Sequence, residues 1–169
     1  YAKDIDKCPR KETREAVCIN LKLAFNYAKY IDKEPREETR KVFCQKPNWA
    51  YKYALEIDKG PKDNTREAVC KSSQYAYYYA KEVDKCPNSN TREAVCKDPK
   101  YAYFYALYVD KCSREDTRKA ACKDPEFAFY YTRDVDKELQ IETWMAVKNT
   151  EYEKKYKITF HKPIKELII

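Results

Sequence analysis

Tyr1, Tyr27, Tyr53, Tyr79, Tyr105 and Tyr131 stand 26 residues apart, and so do Asp6, Asp32, Asp58, Asp84, Asp110 and Asp136 and the lysine after each. Thr13, Thr39, Thr65, Thr91, Thr117 and Thr143 keep the same step. A chain with this period cannot gather its apolar residues into one central core. Each unit buries its apolar side only against its neighbours, and the interior becomes a long thin seam. Positions within a unit are counted here from the tyrosine.

Residues 98–122 show how one unit folds. Asp98 followed by Pro99 is a helix start: the carboxylate caps and the proline suits the first helical position, and Asp124–Pro125 repeats the signal. A helix of about three to four turns is expected from there. Pro9, Pro35, Pro61 and Pro87 follow the Asp-Lys step and are expected to stop it. A second helix of about two turns fits before the next Asp-Pro. Asn64 and Asn90, three residues ahead of Glu67 and Glu93, read as its capping boxes. On a helical wheel Tyr101, Ala102, Tyr103, Tyr105, Ala106 and Val109 cover more than half of the long helix, which implies packing on two sides.

The expected fold is therefore all-α: an α-solenoid of six 26-residue helix pairs over residues 1–148, with an atypical cap at 149–169. At about 8–10 Å between helices such an array would be a rod of roughly 50–60 Å. In the last stretch Leu139, Trp144 and Lys148 replace the usual proline, arginine and cysteine. Residues 157–161 alternate as a short strand would, and Leu167–Ile169 is an apolar end expected to tuck against the last pair. Tyr1 falls where the pattern puts the middle of a helix, so the natural chain is expected to continue upstream.

The string Thr-Arg-Glu-Ala-Val-Cys-Lys-Asp-Pro at 91–99 resembles the core of leucine-rich variant repeats. The Ala-Cys-Lys-Asp-Pro-Xaa-Phe-Ala stretch at 121–128 is similar to short helical repeats found in bacterial and viral proteins. The resemblance implies paired short and long helices over residues 1–148 and is nearly silent on activity. Some leucine-rich variant proteins hold an iron–sulfur cluster on clustered cysteines; this chain has no such cluster in its sequence, so that feature is not carried over.

The chemistry-bearing residue types argue against catalysis. Cys18, Cys44, Cys70, Cys96 and Cys122 share position 18, and Cys8, Cys86 and Cys112 share position 8. The position-8 set is interrupted by Glu34 and Gly60, so a disulfide per unit cannot form. Without Cys-Xaa-Xaa-Cys spacing or four converging ligands, no metal or cofactor is expected, and the position-18 thiols read as buried packing groups. Unpaired cysteines suit an intracellular, cytoplasmic compartment. His161 has no nucleophile in a recognisable setting, and a single glycine, Gly60, excludes phosphate-cradling loops. No catalytic residues and no small-molecule substrate are expected. No apolar run is long enough to span a bilayer, and no secretory signal is present.

What remains is recognition. Positions 22, 26, 3 and 4 leave the long helix opposite its alanines and vary between units. There Tyr78, Phe104, Leu107, Tyr108 and Tyr130 are expected to form one exposed aromatic patch that binds a protein partner. The alternative is a polyanion such as nucleic acid held on the repeated Lys/Arg ridge, with Arg40, Arg66, Arg92 and Arg118 as its arginines, which the net charge of +7 permits. The same arginines could instead pair with the position-6 aspartates and fix the angle between helices.

Overall fold

The computed structural model describes residues 8–160. Every regular element among them is helical. Short helices α1 (Lys11–Val17), α3 (Glu37–Phe43), α5 (Asp63–Val69), α7 (Ser89–Val95), α9 (Glu115–Ala121) and α11 (Ile141–Val147) alternate with α2 (Leu21–Tyr27), α4 (Pro47–Tyr53), α6 (Ser73–Tyr79), α8 (Pro99–Tyr105), α10 (Pro125–Tyr131) and α12 (Tyr152–Phe160). The chain is thus an all-α array of tandem helix pairs. It divides into two compact units, residues 1–85 and 86–169, in each of which three described pairs pack side by side as in a solenoid.

The alanines decide how closely the long helices approach. Ala24, Ala28, Ala50, Ala54, Ala76 and Ala80 in the first unit, and Ala102, Ala106 and Ala128 in the second, are fully buried. Around them lie Phe25, Phe43, Tyr53 and Ile57, then Val69, Tyr79 and Val83, in the first unit. Tyr103, Ala121 and Tyr131, then Phe129, Trp144, Val147 and Tyr156, do the same in the second.

A two-turn helix leaves its first N–H groups without partners and is too short to be stable alone. Here the tyrosine at position 1 holds it. Tyr53 Oη accepts the N–H of Arg36 (3.0 Å), the residue that starts α3, and reaches the same residue's carbonyl (3.2 Å) and Thr39 Oγ1 (3.1 Å). Thr39 Oγ1 in turn donates to that carbonyl (3.0 Å). The arrangement recurs with Tyr79 on Lys62 and Thr65, with Tyr105 on Asn88 and Thr91, and with Tyr131 on Arg114 and Thr117. All four rings are fully buried.

Several expectations need correction. Asn64 and Asn90 are not caps but lie inside α5 and α7; Lys62 and Asn88 precede these helices, and only Asn88 caps through its side chain, accepting the N–H of Asn90 (3.0 Å). Asp98 and Asp124 do cap α8 and α10, with Pro99 and Pro125 at the start. The prolines do not stop the long helices. Each of α2, α4, α6, α8 and α10 continues into a wider π turn (Ala28–Asp32, Ala54–Asp58, Ala80–Asp84, Ala106–Asp110, Thr132–Asp136) and ends at a lysine with φ between 53° and 61°. The fourth and fifth of these helices end at the same register although Ser113 and Leu139 stand in the proline's place. A left-handed residue closes a helix by turning its N–H back to an earlier carbonyl, and a lysine there also meets the negative end of the helix dipole.

The stretch expected to be a strand is helical: Lys157–Phe160 belongs to α12. Tyr156 takes the position-1 part there, with its hydroxyl 3.0 Å from Thr143 Oγ1, so residues 149–160 complete a sixth pair. The tyrosine comes one residue early, and Asn149 at φ 62° absorbs the difference. Asp6, Lys7, His161 and Leu167–Ile169 lie outside the described residues.

Tyr105→Phe keeps the ring and removes only the hydroxyl, stranding buried groups of Asn88 and Thr91. The expected loss is about 1–3 kcal/mol of stability in urea unfolding; an unchanged midpoint would show that the hydroxyl does not hold α7.

Candidate functional site

The arginine ladder is an internal ionic device. Arg40 Nη2 meets Asp58 at 2.7 Å and its Nε meets the same carboxylate at 3.0 Å. Arg14 meets Asp32 at 2.7 Å, Arg66 meets Asp84 at 2.9 Å, Arg92 meets Asp110 at 2.6 Å and Arg118 meets Asp136 at 2.8 Å. The guanidinium groups are 10–16% exposed and the carboxylates at most 2%. Additional acids complete the set: Glu37 on Arg40, Asp63 on Arg66 and Glu142 on Arg118. The hydrogen bonds to aspartate raise the arginine pKa values against the opposing effect of burial. A two-pronged, nearly dry pair of this kind fixes orientation, and its N–H groups already face carboxylates. In the last pair Trp144 replaces the arginine and packs on Tyr156, ring centres 5.7 Å apart.

Removing the acid leaves a buried cation without its counter-charge. Asp110→Ala is therefore expected to cost about 3 kcal/mol, near the value for breaking a buried pair, in denaturant unfolding. Pairing it with Arg92→Met should recover much of that loss. A single substitution without effect would make the ladder dispensable for folding.

The variable face of the long helices carries rings. In the first unit Tyr78 lies among Tyr51 (6.1 Å between centres), Tyr75 (6.5 Å) and Tyr77 (5.3 Å). In the second, a continuous run links Tyr101 to Phe104 (6.3 Å), Phe104 to Tyr108 (6.1 Å) and to Tyr103 (5.3 Å), and Tyr103 to Phe127 (6.2 Å) and Tyr130 (6.0 Å). Tyr130 then meets Phe129 (5.6 Å), which meets Tyr152 (6.1 Å). Cations sit over its margins: Lys100 is 5.9 Å from the Tyr101 and Phe104 rings and Arg133 is 4.8 Å from that of Tyr130.

Of the five residues expected in the patch, Phe104, Leu107, Tyr108 and Tyr130 share the second unit and Tyr78 belongs to the first. Tyr108 is 49% exposed. Tyr78, Phe104, Leu107 and Tyr130 are half-buried: Tyr51 and Tyr103 of the preceding long helix lie beside Tyr78 and Tyr130, and Phe104, Leu107 and Tyr130 pack on the core of Tyr103, Ala106, Ala121 and Tyr131. The face is thus less outward than the wheel implied. Position 23, assigned to the packed side by the wheel, contributes the half-buried rings of Tyr75, Tyr101 and Phe127. Their aromatic character in successive units was the available signal.

No cysteine among the described residues forms a disulfide. Cys8, Cys86 and Cys112 are exposed, whereas Cys18, Cys44, Cys70, Cys96 and Cys122 are half-buried instead of buried as expected. They stand where each short helix ends, so part of each side chain still reaches solvent. Burial pushes Cys44 and Cys96 up to about 11 and Cys122 up to about 12. A raised pKa means less thiolate at neutral pH. Iodoacetamide followed by mass spectrometry should modify Cys86 and Cys112 well before Cys44, Cys96 and Cys122; equal rates would contradict this placement.

Among the described residues no group of three or more histidine, cysteine or acidic side chains is placed to hold a metal, and no helix is long and apolar enough to cross a membrane. No family model, curated protein or solved structure matches the chain. The likeness to leucine-rich variant repeats rests on the quoted strings alone.

Proposed function

We propose that this protein is a non-catalytic helical-repeat scaffold that binds a protein partner through the aromatic face of its long helices. The observation that carries the reading is the surface run Tyr101–Phe104–Tyr108, continued through Phe127 and Tyr130, with Tyr108 half in solvent and Lys100 and Arg133 at its margins. Large rings backed by a rigid core and bordered by charge are the usual carriers of binding energy between proteins. Packing alone does not demand them, since equivalent positions nearer the start of the chain hold Asn26, Lys29 and Lys52. The polyanion alternative loses its arginines, because Arg40, Arg66, Arg92 and Arg118 are committed to carboxylates, and keeps only the exposed lysines of the ladder.

The test is retention of a partner from nuclease-treated extract of the native cell on the immobilised chain, compared with a Phe104→Ala/Tyr108→Ala variant. Binding is expected to weaken by at least about 2 kcal/mol with helicity nearly unchanged. Undiminished binding by the folded variant would overturn the assignment of this face, and loss of the fold would place both rings in the core.

A further inference from the structure

Two grooves occur at equivalent places, one in each unit, where the π turns of consecutive long helices lie side by side. The first, about 330 Å³, has a floor of Ala54, Leu55 and Val83 and a rim of Lys59, Lys85 and Glu82. The second, about 150 Å³, has Ala106, Leu107 and Val135 below and Lys111, Lys137, Asp134 and Cys112 around it. A cavity of roughly 150 Å³ accepts a benzene ring, so the second groove has room for one large apolar side chain and the first has room to spare for one.

The charges select the company that side chain keeps. Each groove has two exposed lysines on opposite helices, and none of the four enters an ion pair among the described residues. The carboxylates at the rim are already engaged. Glu82 accepts the Tyr51 hydroxyl, and Asp134 accepts that of Tyr103 at 2.6 Å and Arg133 at 2.7 Å. Local charge is therefore positive around an apolar slot. The first unit also supplies a contrast: between its first two π turns position 3 is Lys29 instead of leucine, and Lys29 reaches Glu56 at 2.6 Å across the corresponding place. Leucine at position 3, Leu55 and Leu107, coincides with both grooves.

We propose that each groove binds one apolar side chain of an acidic, extended peptide segment, with aspartate or glutamate residues on either side of it meeting Lys59 and Lys85 in the first unit and Lys111 and Lys137 in the second. The inference rests on the protein-binding reading above and names the chemistry of the partner. Leu107 belongs both to the aromatic face and to the floor of the second groove, so one peptide can use the two together.

Cys112 makes the second groove directly observable, because its thiol is exposed and lines the slot; Cys8, also exposed, lines neither groove. The probe is a short synthetic peptide with a central phenylalanine flanked by aspartates, added to the full chain, with iodoacetamide modification followed residue by residue. Saturating peptide is expected to slow Cys112 at least about tenfold and leave Cys8 unchanged; no protection overturns the proposal. Lysine in place of the flanking aspartates, or glycine in place of the phenylalanine, should abolish protection, and protection that survives either change also overturns it. So does equal protection by a thymidine oligonucleotide, which would make the site a polyanion surface. Lys111→Asn/Lys137→Asn removes both charges with a residue that tolerates the left-handed backbone, and Leu107→Lys puts at position 3 the residue that spans the first pair of turns. Each should lose protection with helicity retained, and protection unaltered in both folded variants counts against the proposal. If native-partner binding depends on Phe104 and Tyr108 while the acidic peptide protects nothing, this inference falls and the protein-binding reading stands; if binding is indifferent to both rings as well, both fall.

Discussion

A buried tyrosine hydroxyl holds each short helix to the long helix that follows it. A helix of seven residues gains too few internal hydrogen bonds to offset its nucleation cost. Tyr105 crosses the seam between α8 and α7, fills it with its ring, and ends on the N–H and carbonyl of Asn88. One side chain thus supplies apolar burial and satisfies backbone groups that would otherwise be stranded. Thr91 completes the set from within the short helix. The same geometry at Tyr53, Tyr79 and Tyr131 explains why the tyrosine and the threonine keep their spacing while residues between them vary.

The Arg–Asp pair is the second tie, five residues further along the long helix and beside the first, with the Arg92 guanidinium 5.8 Å from the Tyr105 ring. It forms where the helix widens into a π turn, so that the aspartate at the end of the turn faces the preceding short helix. The extra residue in a π turn changes the direction of the last side chains without lengthening the helix by a full turn. Tyrosine and ionic pair together hold the second half of the long helix to the first turns of the short helix before it. Charge that looks available in the sequence is consumed in this way, which separates the residues that build the repeat from those that distinguish one repeat from another.

The distinguishing residues sit on the long helices. Asn26 and Lys52 give way to Tyr78, Phe104 and Tyr130 along the chain, and position 3 alternates between Lys29, Leu55, Lys81 and Leu107. The backbone under these positions hardly changes, so a substitution there alters what the surface presents without altering how the repeat folds. Such separation is characteristic of arrays in which each unit contacts only its neighbours.

The sequence by itself determined the period, the helical class, the packing of the alanines and of the position-1 tyrosines, and the capping by Asp98 and Asp124, because these depend on spacing and on local backbone chemistry. It also held the Arg–Asp ladder as one of two readings, since spacing cannot tell a charge that faces solvent from one that faces its counter-ion 18 residues away. Only the tertiary structure decided that the long helices end in π turns at a left-handed lysine, that residues 152–160 form a helix closing a sixth pair, and that most of the aromatic patch is half-covered. Each of these follows from what the neighbouring helix does. An ideal 3.6-residue wheel places side chains around an isolated cylinder, whereas the exposure of Phe104 or Tyr130, and the apolar slot beside Leu107, depend on how closely alanine lets the next cylinder approach.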